Sequence, residues 1–112
     1  MTEVTDKVER AIARFDRVTR QLDDRSGPAR DALVRATEDW VDELAKAVRI
    51  AVREGHFRPD IDPEQLAFEI YGIMHSMHVF FRFLRDPASL ERTRTAFERL
   101  IASVRLARPR QA

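Results

Sequence analysis

The sequence predicts an all-α fold: a small helical bundle of about four helices, forming a single domain over residues 1–112. Three observations carry that prediction. Apolar residues recur at steps of three and four, and no stretch alternates apolar and polar in the way a half-buried strand does. Proline-bearing breaks at "DDRSGP", "DIDPEQ" and Asp86–Pro87 cut the chain into helix-length segments. At 112 residues, 44% of them hydrophobic, the chain supports one core, since a domain this size buries roughly two thirds of its unfolded surface.

The first segment, residues 1–23, places Val4, Val8, Ala11, Phe15, Val18 and Leu22 at alternating steps of four and three. That is a narrow stripe on an amphipathic helix, and it needs a partner surface. Ser26 or Gly27 then serves as N-cap, with Pro28 at the first helical position, where its missing N–H costs nothing. The second helix runs to about Glu54 with the stripe Leu33, Thr37, Trp40, Leu44, Val48 and Ala51, widened by Val34, Val41 and Val52. Gly55 is its natural stop, because glycine takes a left-handed conformation without strain. Asp62 caps the third helix, Pro63 starts it, and Gln65 stands at the capping-box position. This helix is expected over Pro63 to Leu84. Pro87 opens a fourth, with Leu90, Phe97, Leu100, Ile101 and Val104 on one side. Residues 107–112 form a tail, so residues 24–106 hold the body of the domain.

Composition removes several function classes. With no cysteine there is no disulfide, thiolate nucleophile or zinc-thiolate cluster. There is also no asparagine to accept a glycan. Twenty Lys and Arg against 19 Asp and Glu leave a net charge of +1, without the basic excess of a nucleic-acid binder. Eighteen of the 20 basic residues are Arg, consistent with a GC-rich bacterial genome. The opening "MTEVTDKVER" is charged and lacks the apolar centre of a secretion signal, which points to the cytoplasm.

The stretch to explain is "IYGIMHSMHVFF", residues 70–81. A membrane span needs about 20 apolar residues, and here Glu69, His75, His78 and Arg82 interrupt the run. His75 and His78 share a side of the helix, but two imidazoles fall short of the four ligands of a closed metal site, and Glu69 points elsewhere. No metal and no cofactor is therefore expected. No nucleophile elbow or glycine-rich phosphate loop surrounds Ser76, Ser89 or Ser103, so no enzyme is expected either. What remains is a helix apolar nearly all round, the mark of burial on more than one side. One stripe is Leu66, Ile70, Ile73, Met77 and Leu84. A second is Phe68, Tyr71, His75 and His78, whose polar tips need hydrogen bonds from satisfied core partners or from a cavity holding a ligand. A third, Gly72, Ser76, Phe80 and Phe83, carries small residues four apart that admit another backbone, from the same chain or from a second subunit.

The segments "LDDRSGPARDAL", Trp40, "AVREGHFRPDIDPEQLAFEIYGIMHSMHVFFRFLRDP" and "ERTRTAFERLI" together resemble the C-terminal half of TetR-type (tetracycline-repressor-like) transcriptional regulators, over about Leu22 to Ile101. The most specific part is the run from Gly55 to Gly72, G-x-[FL]-R-P-D-x-D-P-E-Q-L-A-F-E-x-Y-G. The resemblance implies that Pro28 to Glu54 corresponds to the long helix walling the effector pocket. It implies that Pro63 to Leu84 and Pro87 to Arg105 correspond to the last two helices, which in such regulators pack on their copies as a four-helix dimer interface. The family's three-helix DNA-binding domain with its helix-turn-helix has no counterpart in residues 1–21, which read as one charged helix. The resemblance likewise leaves no segment here for the helices that in such regulators connect the two halves and close the pocket, and these are expected to be absent from residues 1–112.

The expectation is an effector-binding and dimerisation domain of a TetR-type regulator without its helix-turn-helix domain, a homodimer that binds a small apolar effector and does not itself bind DNA. Its ligand-binding residues are expected to be Trp40, Leu44, Tyr71, His75 and His78. Its dimer interface is expected to use Phe80, Phe83, Phe97, Leu100, Ile101 and Val104. The alternative is a structural module that pairs with itself or with a full-length regulator and binds no ligand.

Overall fold

The computed structural model describes residues 3–23 and 26–107, with the side chains of 3–17 and 26–107. Four α-helices follow in order: α1 (Glu3–Asp23), α2 (Pro28–Arg53), α3 (Pro63–His78) and α4 (Ser89–Val104), with a π-helical turn over Val79–Phe83 between the last two. No strand occurs among the described residues. The chain divides into two compact units, Met1–Thr37 and Glu38–Ala112.

In the first unit the described side chains of the α1 apolar stripe, Val4, Val8, Ala11 and Phe15, are all exposed, as is the neighbouring Ile12. The side chains of Val18 and Leu22, the rest of that stripe, lie outside the described residues. Gly27 opens α2. Its carbonyl accepts from the Asp31 N–H at 3.0 Å, the first bond of the helical ladder. Its φ of 139° belongs to glycine, and Pro28 follows at the first helical position.

The second unit holds the core. Val48 of α2, Leu66 and Ile70 of α3 and Val104 of α4 are buried against one another, with Leu44, Val52, Phe57, Ile61, Met74 and Leu100 packed around them. Leu66 is only 2% exposed. The boundaries of the helices follow from their caps. At the end of α2 the His56 N–H donates to the Ala51 carbonyl (2.9 Å) and the Gly55 N–H to Val52 (3.1 Å). This is the paired bonding of a Schellman motif, with Gly55 at φ 81° as its left-handed residue. At the start of α3, Asp62 Oδ1 accepts from the Glu64 N–H at 3.0 Å, and Pro63 occupies the first helical position. Between these caps the chain runs back along the end of α4. The Arg58 N–H donates to the Val104 carbonyl and the Leu106 N–H to the His56 carbonyl, each at 2.9 Å. These bonds hold the C-terminus of α4 next to the loop that leads into α3, so α3 and α4 run antiparallel.

The third helix departs from the expected Pro63–Leu84 span. Its α-helical part ends at His78, and the ladder widens so that the Leu84 N–H reaches the Val79 carbonyl at 3.1 Å, five residues back. Arg85 then takes a positive φ of 52° and reverses the chain. The fourth helix starts at Ser89 and not at Pro87, because Asp86 folds the intervening residues into a turn. Its Oδ1 accepts from the Ala88 N–H (2.9 Å) and its carbonyl from the Ser89 N–H (3.1 Å).

Candidate functional site

With 3.6 residues per turn, α3 presents three faces. Leu66, Ala67 and Ile70 point into the core and are buried. Roughly opposite the groove described next lie Tyr71, His75 and His78. The Tyr71 and His75 rings stack with centroids 6.1 Å apart and planes 19° from parallel. The remaining face, with Glu69, Gly72, Ile73, Ser76, Met77 and Phe80, lines an open groove of about 780 Å³, and Asp86 with residues of α4 forms its other wall.

The chemistry of the groove is apolar with charged rims. Ile73, Met77, Phe80 and Leu100 supply apolar surface, while Gly72, Ser76, Thr93 and Ala96 keep its middle shallow and free of charge. A Cβ built on Gly72 meets nothing within 4 Å, so this backbone is open to an approaching group. The polar side chains are partly tied down. Thr93 Oγ1 donates to the Ser89 carbonyl at 2.7 Å. Arg92 Nη1 lies 3.5 Å from Asp86 Oδ2, an ion pair whose Arg side chain is largely exposed and which therefore contributes little to stability. Ser89 is 3% exposed, and its Oγ has no hydrogen-bond partner among the described residues. A buried hydroxyl left unpaired costs about 1–3 kcal/mol.

The residues expected to bind ligand do not line this groove. Trp40 stands on α2, 45% exposed. Leu44 packs on the core. Tyr71 is half-buried, and His75 and His78 are exposed. Tyr71, His75 and His78 share a face of α3, as their spacing requires. Of the residues expected at an interface, Phe80 and Leu100 line the groove. Phe83 and Phe97 are exposed, Ile101 is half-buried, and Val104 is a core residue at 8% exposure whose side chain is occupied within its own chain. Of the α4 wall, only Leu100 was anticipated. A signal for it exists in the line Ser89, Thr93, Ala96 and Leu100, at steps of four, three and four, whose small members leave room beside the equally small Gly72 and Ser76.

Among the described residues no three His, Asp or Glu side chains gather as metal ligands, and no helix is long and apolar enough to cross a membrane. The groove has an apolar floor between two antiparallel helices.

No curated protein and no solved structure matches the chain. The family model described as tetracyclin repressor-like, C-terminal domain, matches residues 15–97. The match takes in the second half of α1, which therefore falls within the family's domain, and extends through the Gly55–Gly72 run, the groove-lining face of α3 and most of α4. The chain belongs to the tetracyclin repressor-like C-terminal domain family.

Proposed function

We propose that this chain is the pairing and effector-sensing domain of a TetR-type transcriptional regulator, working without catalysis in the bacterial cytoplasm. The observation that carries the reading is the open groove between α3 and α4, lined by Gly72, Ser76, Phe80 and Leu100. These are the two helices through which regulators of this type pair. A shallow, uncharged middle with small residues suits close helix packing across a two-fold axis. Phe83, exposed beside Phe80 in the π-helical turn that follows α3, extends the apolar surface beyond the groove.

Sensing belongs to the opposite face of α3. There Tyr71, His75 and His78 offer ring surfaces and hydrogen-bonding tips, and Trp40 and Leu44 on α2 are the candidates for apolar walls of a site for a small apolar molecule with a polar end. Such an effector acts only through unequal affinity for two arrangements of the paired domains, by which it shifts their populations. A thermal-shift screen of hydrophobic acids, phenols and dyes tests this half. A hit at a hundredfold its Kd adds about 2.7 kcal/mol to folding, and Tyr71→Ala and His78→Ala should abolish the shift while leaving the fold intact. Hits that shift both variants as strongly as the parent chain would remove the site from this face.

A second reading, a structural pairing module with no ligand, is favoured by the exposure of Trp40, His75 and His78. It shares the pairing groove and predicts that no compound of the screen shifts the midpoint.

A further inference from the structure

We propose that the charges at the rims of the α3–α4 groove code it for a second copy of this same chain, laid so that α3 of one copy faces α4 of the other. This rests on the pairing reading above and adds to it the residues that select the partner and the arrangement.

The groove lining contains two acidic residues, Glu69 and Asp86, and two basic ones, Arg92 and Arg99. Their placement is ordered. Because α3 and α4 run antiparallel and are joined by the short turn at residues 84–88, Glu69 and Arg99 stand at one end of the groove and Asp86 and Arg92 at the other. At each end the acid comes from α3 or the turn that follows it, and the base comes from α4. The middle, Gly72, Ser76, Thr93 and Ala96, carries no charge.

A two-fold axis makes the consequence definite, since residue i then meets residue j of the copy and j meets i. If α3 of one copy lies on α4 of the other with the axis along the groove, Glu69 faces the copy's Arg99, and Asp86 its Arg92. An axis that crosses the groove instead lays α3 on α3 and α4 on α4, so that Glu69 meets the copy's Asp86, and Arg92 its Arg99. Acid meets base only in the first arrangement. The second sets acid against acid and base against base, and like-charge repulsion disfavours it. A groove with equal numbers of both signs also suits neither a uniformly acidic nor a uniformly basic partner helix. Ser89 adds an independent observation. Its buried, unpartnered hydroxyl lies in the groove wall at the Asp86–Arg92 end, where an acceptor carried by the copy would complete it.

Two variants read the code. Glu69→Arg makes the rim predominantly basic, and Arg92→Glu/Arg99→Glu makes it wholly acidic. All three side chains are exposed in the single chain, so circular dichroism spectra should match the parent, and so should melts at dilutions where the parent is unpaired. Sedimentation velocity should show each variant pairing with itself at least tenfold more weakly than the parent chain. An equimolar mixture of the two should pair more tightly than either alone, because three of the four cross-contacts are then opposite in sign. Should a reversal lower the melting midpoint, the neutral Glu69→Gln and Arg99→Gln chains carry the comparison, each with a smaller loss of pairing. A monomeric parent chain would overturn the pairing reading and this inference with it. A parent that pairs, with variants that self-pair equally well or a mixture that pairs no better than its components, would overturn the charge code and leave the pairing reading standing.

Discussion

At Gly55 the backbone takes φ 81° to close α2, whereas Gly72 sits within α3 at an ordinary helical conformation. Neither meets an obstacle to a Cβ within 4 Å, so the two differ only in backbone conformation and in what approaches from outside the chain. Gly55→Ala is expected to destabilise the domain by about 1 kcal/mol or more, because a side chain in the left-handed region is strained and the Schellman bonds depend on it. Arg85, at φ 52°, carries the same strain in the native chain. Arg85→Gly should therefore be neutral or stabilising by up to about 1 kcal/mol, after the greater freedom of glycine in the unfolded chain is set against the strain relieved. Urea unfolding of the three chains side by side checks both signs. If Gly55→Ala costs nothing, the capping account of α2 fails.

Among the elements, α3 meets a different surrounding on each of its three faces, and only part of that was legible in its sequence pattern. The caps were legible because they depend on single residues with one physical role each: Gly55 for its positive φ, Asp62 for its acceptor, Pro63 for its missing N–H. The end of the helix was not. From Ile70 to Phe81 the residues are apolar nearly all round, so the extra residue of the π-helical turn at Val79–Phe83 shifts the register without placing a charge in the core, and periodicity registers no break. The start of α4 was misjudged by two residues, because an Asp-Pro pair suits a turn as well as a helix start, and here the Asp86 side chain bonds the Ala88 N–H. The groove itself was half legible. Small residues four apart at Gly72 and Ser76 marked the α3 wall, whereas the α4 wall required knowing which turn of α4 lies opposite. Val104, expected at an interface from its helical face, is buried in the core of its own chain beside the loop whose Arg58 N–H donates to its carbonyl. Gly72→Ala tests the groove at this scale. Replacing a mid-helix glycine should stabilise the subunit by roughly 0.5–1 kcal/mol, while the added methyl obstructs a partner backbone and weakens pairing. Thermal melts together with a dilution series separate the two effects. A variant that melts higher and pairs as well as the parent would show that no partner backbone approaches Gly72.

At the scale of the whole molecule, the core of Val48, Leu66, Ile70 and Val104 is small and lies in the second unit. Leu66→Ala removes the most deeply buried large side chain and should cost about 2–5 kcal/mol, enough to unfold a marginally stable domain at ambient temperature. With 20 basic against 19 acidic residues, the chain has no net basic excess to favour phosphate binding. Gel retardation should show no sequence-selective binding of duplex DNA at submicromolar concentration. On the proposed reading a copy of the chain covers the exposed face of α3 and α4, and the molar mass in solution tests this most directly. Light scattering at tens of micromolar should give twice the 13.1 kDa of the chain, and Phe80→Asp, which places a charge beside the groove floor, should reduce that mass to one chain. A parent chain that scatters as a monomer at this concentration would contradict the account.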